Sequence, residues 1–232
     1  MLSRLDEEYL EKYLMDKYER EKARYAEVVE EYNMKLFAQY KNKFRLQFVS
    51  YHYIKNFLRR LSYIKLLPNK EEYVSINKEN EFFEVSISIS FSDDNPWKFP
   101  YPVNINKITQ YISKNRMDPI SLDVASMKNL IAPERLEEVK QEIEGKPKDL
   151  LADVKKDNPI IALSAEGIVE QSYLINGNHR IVQAMLEGID AVDGYIFGAN
   201  ICSICGMTRD FELLYKMMQE LYTKVYGINR ES

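Results

Sequence analysis

Glycine is absent from the first 144 positions of this 232-residue chain, and all eight glycines fall from Gly145 onward. The two parts of the chain therefore use different backbone chemistry, and turns that need a left-handed residue belong to the second part. Proline is absent between Leu2 and Leu67, so nothing in that stretch breaks a helix at a fixed point. Only two cysteines occur, Cys202 and Cys205, which is too few for a disulfide framework. No run approaches the roughly 18 consecutive apolar residues of a membrane helix. The opening MLSRLDEEYLEKYL has neither an uninterrupted apolar core nor a small-residue cleavage site, so no secretory signal is expected there. A cytoplasmic protein without a membrane partner is the expectation. An excess of positive charge is missing too: 32 Lys and Arg stand against 36 Asp and Glu, net −4. No global field draws the whole molecule onto nucleic acid, although a local patch remains open. There is no internal repeat and no low-complexity tract.

What is present is enough for a folded core. Hydrophobic residues make up 45% of the chain and charged residues 29%, with 17 tyrosines, unlike a disordered polyelectrolyte. From Leu2 to Leu67 apolar residues recur at helical spacing through Leu5, Tyr9, Tyr13, Tyr25, Val28, Tyr32 and Leu36. One helix of that length would run about 100 Å at 1.5 Å per residue, so two or three helices are expected, with a break near Asn33 or Lys41–Asn42. Pro68 and Asn69 close the segment. Phe83, Val85, Ile87, Ile89 and Phe91 then alternate with Glu84, Ser86, Ser88 and Ser90, the period of a half-buried strand. Asp93-Asp94-Asn95-Pro96 supplies a turn, and Pro100 and Pro102 keep the next stretch extended or irregular. The stretch from Tyr101 to Ile112 is undetermined.

From Pro119 the pattern reads strand (120–124), short helix, helix (133–144), strand (160–164), strand (173–176), helix (178–186) and strand (191–197). A final amphipathic helix over 209–226 carries Phe211, Leu214, Met217, Met218 and Leu221. The fold class expected is α+β: an N-terminal helical region over 1–70, a β-containing connecting segment over 71–117, and an α/β module with a C-terminal helix over 118–232.

The chemistry concentrates in Ser172 to Gly188. A β-rich run ends at Asn176, Gly177 turns the chain, and a helix opens with Asn178, His179 and Arg180. Unpaired N–H groups and the positive end of the helix dipole point outward there, and an adjacent arginine can grip two phosphate oxygens. The plainer reading is an ordinary strand–turn–helix corner with Asn178 as a cap. Around this corner, Asp118-Pro-Ile-Ser-Leu-Asp-Val, Asn158-Pro-Ile-Ile-Ala-Leu, Leu174-Ile-Asn-Gly-Asn-His-Arg and Gly188-Ile-Asp-Ala-Val-Asp-Gly-Tyr-Ile-Phe follow in order.

In that order the four pieces resemble the ParB/sulfiredoxin-like superfamily, over about residues 118–198. The resemblance implies a nucleotide (ATP, ADP or CTP) with Mg²⁺, its phosphates held by Gly177, Asn178, His179 and Arg180. Sulfiredoxins carry their reactive cysteine where this chain has Asn178, so reduction of a sulfinic acid is not expected. Partitioning ParB proteins continue into further domains for which the 35 residues after Phe197 are too few. Kinases of free serine in the same superfamily place a carboxylate base near a Pro-x-Glu or His-Glu element. Pro133-Glu134-Arg135 lies in the corresponding region, which makes Glu134 a candidate base and Arg135 a candidate second phosphate contact. A solvated first helical turn is the alternative for both. His179 could orient a phosphoryl oxygen or shuttle a proton, whereas His52 has no such context and reads as structural.

Two further features stay open. Cys202-Ser-Ile-Cys205 has the spacing of half a zinc site or a redox pair, but no second pair accompanies it, and reduced, partly buried thiols are expected. Tyr32 to Lys70 carries nine Lys and Arg and no acid, interleaved with aromatics such as Phe37, Tyr40, Phe44, Phe48 and Phe57. That is the composition of a nucleic-acid contact, with Arg59 and Arg60 as candidates, or of a helical core with a solvated lysine face, neutralised by acids of the first helix.

The leading function expected is a nucleotide-binding NTP or NDP hydrolase, or a phosphotransferase to a small acceptor, with His179 and Glu134 as its catalytic candidates and no protein metal site. The alternatives are a DNA-associated ParB-like factor or nuclease using residues 32–70, and a non-enzymatic interaction protein. A homodimer through the N-terminal helices is a further possibility.

Overall fold

The computed structural model describes residues 4–30, 50–90, 96–145 and 159–226. The protein is an α+β protein whose contacts divide it into two units. One joins Met1–Asn104 to Cys202–Ser232, and the other is Ile105–Ile201. Sequence placed boundaries near residues 70 and 117. By contacts they fall at 104/105 and 201/202, and the C-terminal helix belongs with the N-terminal half.

In the first unit, α1 (Arg4–Glu30), α2 (Tyr51–Leu61) and α3 (Lys70–Glu79) precede a hairpin of β1 (Phe82–Ser90) and β2 (Pro96–Asn104). The helix at the far end of the chain, Arg209–Tyr226, is α8 in the numbering that follows. The expected break between the first helices lies outside the described residues. On α1 the buried stripe is Leu14, Tyr18 and Tyr25, positions four and eleven residues apart that share one face at 100° per residue. Tyr9 and Tyr13 fall off that face and are exposed, although their spacing had placed them on it. Asn69, read from sequence as a terminator, instead starts α3: its side-chain Oδ1 accepts the Glu72 N–H at 2.9 Å. That is N-cap behaviour.

β1 pairs antiparallel with β2 from Phe82↔Asn104 to Ser90↔Pro96. Three prolines sit inside this ladder because Pro96, Pro100 and Pro102 share one parity. At that parity the backbone polar groups point away from β1 and the missing N–H groups break no rung. Asn104, of the same parity, donates its N–H to the Cys205 carbonyl at 2.7 Å, and Pro102 accepts from Met207 N–H at 3.0 Å. The opposite parity is the core face: Val85, Ile87, Ile89, Phe99, Tyr101 and Val103 are all buried. Rings gather on it, with Tyr25 against Phe99 at 5.8 Å and Phe211 at 5.4 Å, and Tyr101 against Phe211 at 5.8 Å and Tyr215 at 5.7 Å.

The second unit opens with α4 (Ile105–Asn115), which follows β2 without a turn. It continues through β3 (Ile120–Asp123), α5 (Val124–Lys128), α6 (Pro133–Glu144), β4 (Ile160–Leu163), β5 (Tyr173–Asn176), α7 (Asn178–Glu187), β6 (Ala191–Phe197) and a 3₁₀ turn, Ala199–Ser203, that crosses into the first unit. Its sheet has the order β3-β6-β4-β5, in which only β4 and β6 run parallel. Residues Leu122, Ile160, Ala162 and Leu174 turn one face of this sheet toward Val139 and Ile143 of α6 and Ile181, Val182 and Ala184 of α7, forming one buried cluster. Gly194 permits the close strand packing, since a Cβ there would lie 2.6 Å from Leu122 Cδ1 and 2.8 Å from the Ile160 carbonyl oxygen. On the opposite face Tyr111 of α4 meets the Phe197 ring edge-on at 6.2 Å. Among the described residues no helix is long and apolar enough to cross a membrane.

Candidate functional site

The corner foreseen between Asn176 and Arg180 forms where β5 passes into α7. Gly177 has φ +107° and ψ 16°, a left-handed conformation that L side chains rarely adopt. A Cβ on it would come within 2.7 Å of Ile160 Cγ1 and 3.2 Å of Ile160 Cα, so the position is closed sterically as well as conformationally. As the N-cap residue it has no side chain, and no side-chain cap closes the first turn of α7. By contrast α2, α3 and α5 are capped by Ser50, Asn69 and Asp123. The N–H groups of Asn178 and His179 and the positive end of the α7 dipole remain at the corner. Asn178 follows the cap as the first residue of the helix; it is not the cap itself.

Arg180 is half-buried in the same turn, and among the described residues its guanidinium has no hydrogen-bond or ion-pair partner. It lines a cleft of about 370 Å³ between α7 and the start of β6, with Gln183, Glu187, Ile189, Val192 and Asp193. Gln183 donates to Glu187 Oε1 at 2.9 Å, and the cleft holds two carboxylates, Glu187 and Asp193, together with Arg180.

His179 turns toward α6. Its Nε2 lies 2.7 Å from Glu142 Oε2, and the other oxygen of Glu142 receives Arg135 NH1 at 3.1 Å. The same NH1 reaches Glu138 Oε2 at 2.9 Å. The hydrogen bond from His179, with that from Arg135 behind it, holds the Glu142 carboxyl below its ordinary value. Arg135 is thus occupied by two carboxylates of its own helix, and its contribution to the corner passes through Glu142. Glu134 is exposed in the first turn of α6 and has no partner among the described residues. It sits eight residues before Glu142, about 80° around the helix and about 12 Å along it.

Glu142 is the residue that sequence reasoning missed. Its signal was present as Arg135, Glu138 and Glu142, a polar stripe at i, i+3 and i+7. It runs one position behind the stripe of Leu136, Val139 and Ile143, which packs into the core. A charged row bordering a buried row faces the neighbouring helix, and that neighbour is α7.

The remaining candidates lie in the first unit. Cys202 and Cys205 are free and buried. The Tyr101 hydroxyl donates to the Cys202 carbonyl, and burial pushes the Cys202 thiol up to about 12, which keeps it protonated and a poor nucleophile or ligand. Arg60 pairs at 3.5 Å with Glu220 of α8, where an acid of the first helix had been the expected partner, and Arg59 is exposed. Lys70 does reach the first helix, at Glu19, 3.4 Å away. Ile54, Phe57 and Leu61 fill the core side of α2. Lys224 of α8 stands 5.3 Å over the Tyr53 ring. His52 is exposed and bonds Asn56 at 3.0 Å. The aromatics from Phe37 to Phe48 lie outside the described residues. No family model, no curated protein and no solved structure matches this chain.

Proposed function

We propose that the chain binds the phosphate groups of a nucleotide at the Gly177–Arg180 corner and carries out phosphoryl chemistry there, either hydrolysis or transfer to a small acceptor. The observation that supports it best is a helix start without a side-chain cap, built on a left-handed glycine, with an arginine in its first turn that has no partner among the described residues. Backbone N–H groups offer the phosphate fixed donors, and Arg180 adds a planar pair of charged ones. The resemblance of residues 118–198 to ParB/sulfiredoxin-like domains points the same way.

Glu187 and Asp193, which line the cleft with Arg180, repel phosphate, which orients the ligand. The phosphates stay at the helix start and a hydrogen-bond-donating part of the ligand enters the cleft. Among the described residues no three His, Cys, Asp or Glu side chains converge as a metal cage. A Mg²⁺ carried on the phosphates would keep its waters and offset the charge that Arg180 alone does not.

Calorimetry with ATP, ADP and CTP in the presence of Mg²⁺ tests the reading. Arg180→Ala should weaken binding by about ten- to a hundredfold, the worth of charge-assisted hydrogen bonds, with its unfolding transition unchanged. Absence of binding by the wild-type protein across that panel removes the proposal.

A further inference from the structure

We propose that Glu142 is a positioning residue that fixes the tautomer of His179, so that the Nδ1 atom of His179 is the proton acceptor in the phosphoryl step. The inference rests on the reading of the Gly177–Arg180 corner as a phosphate site and adds to it which atom does the chemistry.

The argument starts from what each group can give. An ionised carboxylate only accepts hydrogen bonds. Glu142 is held in that form from two sides, by His179 Nε2 at 2.7 Å and by Arg135 NH1 at 3.1 Å. The hydrogen in the first contact therefore belongs to Nε2. A neutral imidazole with its hydrogen on Nε2 keeps its one acceptor lone pair on Nδ1. Arg135 closes the back of the arrangement: bound to Glu138 as well, it holds the Glu142 side chain along α6, so the carboxylate meets the ring in one orientation. The contact also crosses between two helices whose apolar sides share one buried cluster, which sets the spacing by core packing. In this arrangement a carboxylate orients an imidazole and the ring's far nitrogen takes the proton.

The step balances without a further reagent. The attacking hydroxyl, of water or of an acceptor alcohol, forms a bond from its oxygen to phosphorus while its proton moves to His179 Nδ1. The bond from phosphorus to the leaving phosphate oxygen breaks, and its electron pair departs on that oxygen. The imidazolium so formed faces the Glu142 carboxylate, which stabilises it until the proton passes to solvent. Glu134, in the first turn of the same helix, is not needed as base.

Steady-state phosphate release from ATP, ADP and CTP with Mg²⁺, alongside calorimetry on the same proteins, provides the test. Glu142→Gln should lower kcat on the order of a hundredfold while KM and Kd stay within about threefold, since general-base positioning acts on the transition state. Glu142→Asp should restore part of that loss, and added imidazole should partly rescue His179→Ala. Glu137→Gln removes a carboxylate that pairs with Lys140 at 2.6 Å on the same helix and serves as the control, with kcat unchanged. Should Glu142→Gln unfold, the Asp variant and the imidazole rescue decide. A Glu142→Gln enzyme of undiminished kcat, or one that changes only KM, overturns the inference. Binding with neither phosphate release nor transfer to an added small alcohol in the wild type overturns it too and leaves the phosphate site standing, whereas absence of binding removes both.

Discussion

At the scale of single residues the site depends on what Gly177 lacks. Its backbone angle and the 2.7 Å approach of a Cβ to Ile160 act in the same direction, one as conformational strain and the other as overpacking. Gly177→Ala should therefore destabilise the second unit by about 2–4 kcal/mol, read as a lower urea midpoint, and should weaken nucleotide binding because the first turn of α7 is displaced. An unchanged midpoint would show that the turn relaxes without strain. This corner was legible beforehand, since a glycine between a β-rich run and a helix is a local signal. Glu142 was not, because its meaning depends on α7 lying beside α6, which no neighbour in the chain announces. The plainer alternative for this corner made Asn178 a cap by its residue type; the backbone begins the helix at that residue, and the cap is the glycine before it.

At the scale of elements, the contest over the basic segment is drawn by α2. Its Ile54, Phe57 and Leu61 are buried, Arg60 pairs with Glu220, and Arg59 is exposed. An exposed pair of this kind contributes at most about 1 kcal/mol. Arg59→Glu combined with Arg60→Glu should accordingly shift stability only slightly. In gel shifts at two salt concentrations we expect weak binding at most, falling steeply with salt, since each neutralised phosphate contributes a slope of about −0.9 on duplex DNA. Tight binding that vanishes with the charge reversal would instead make α2 a nucleic-acid surface. Elements with a strong period were readable from sequence: β1 by its alternation, α6 by Pro133, and α8 by its apolar stripe. β2 was not, because three prolines argue against a strand until their common parity is matched to a partner. α3 was hidden as well, with only Tyr73 and Val74 buried and an N-cap that reads equally well as a stop.

For the whole molecule the division of the chain is the governing fact. The unit Ile105–Ile201 is contiguous in sequence, while the other unit needs both Met1–Asn104 and Cys202–Ser232. A chain ended after Ile201 loses Phe211, Leu214, Tyr215, Met217 and Met218 from the core of the first unit. It keeps every residue of the cluster centred on Ile160 and Ile181. Limited proteolysis of that truncated chain should digest its first hundred residues and spare a fragment spanning about 105–201 that still binds nucleotide. Digestion of both halves at one rate would mean that the second unit does not hold together without the first.

The hydrogen bond from Asn104 N–H to the Cys205 carbonyl has a bearing on how the protein is made. It joins residues separated by the whole inserted unit, and closing a disordered loop of that length costs on the order of 4 kcal/mol. Prior folding of the insertion shortens the loop, so the order of events on the ribosome matters. The hairpin of β1 and β2 leaves the ribosome long before α8 exists to bring Phe211 and Tyr215 against Tyr101 on its apolar face. At about 5–20 residues per second, its apolar side waits roughly 6–24 s for its cover. A ribosome paused between the codons for Asn104 and Arg209 would prolong that interval, in which the nascent chain should be open to chaperones that bind exposed apolar strands.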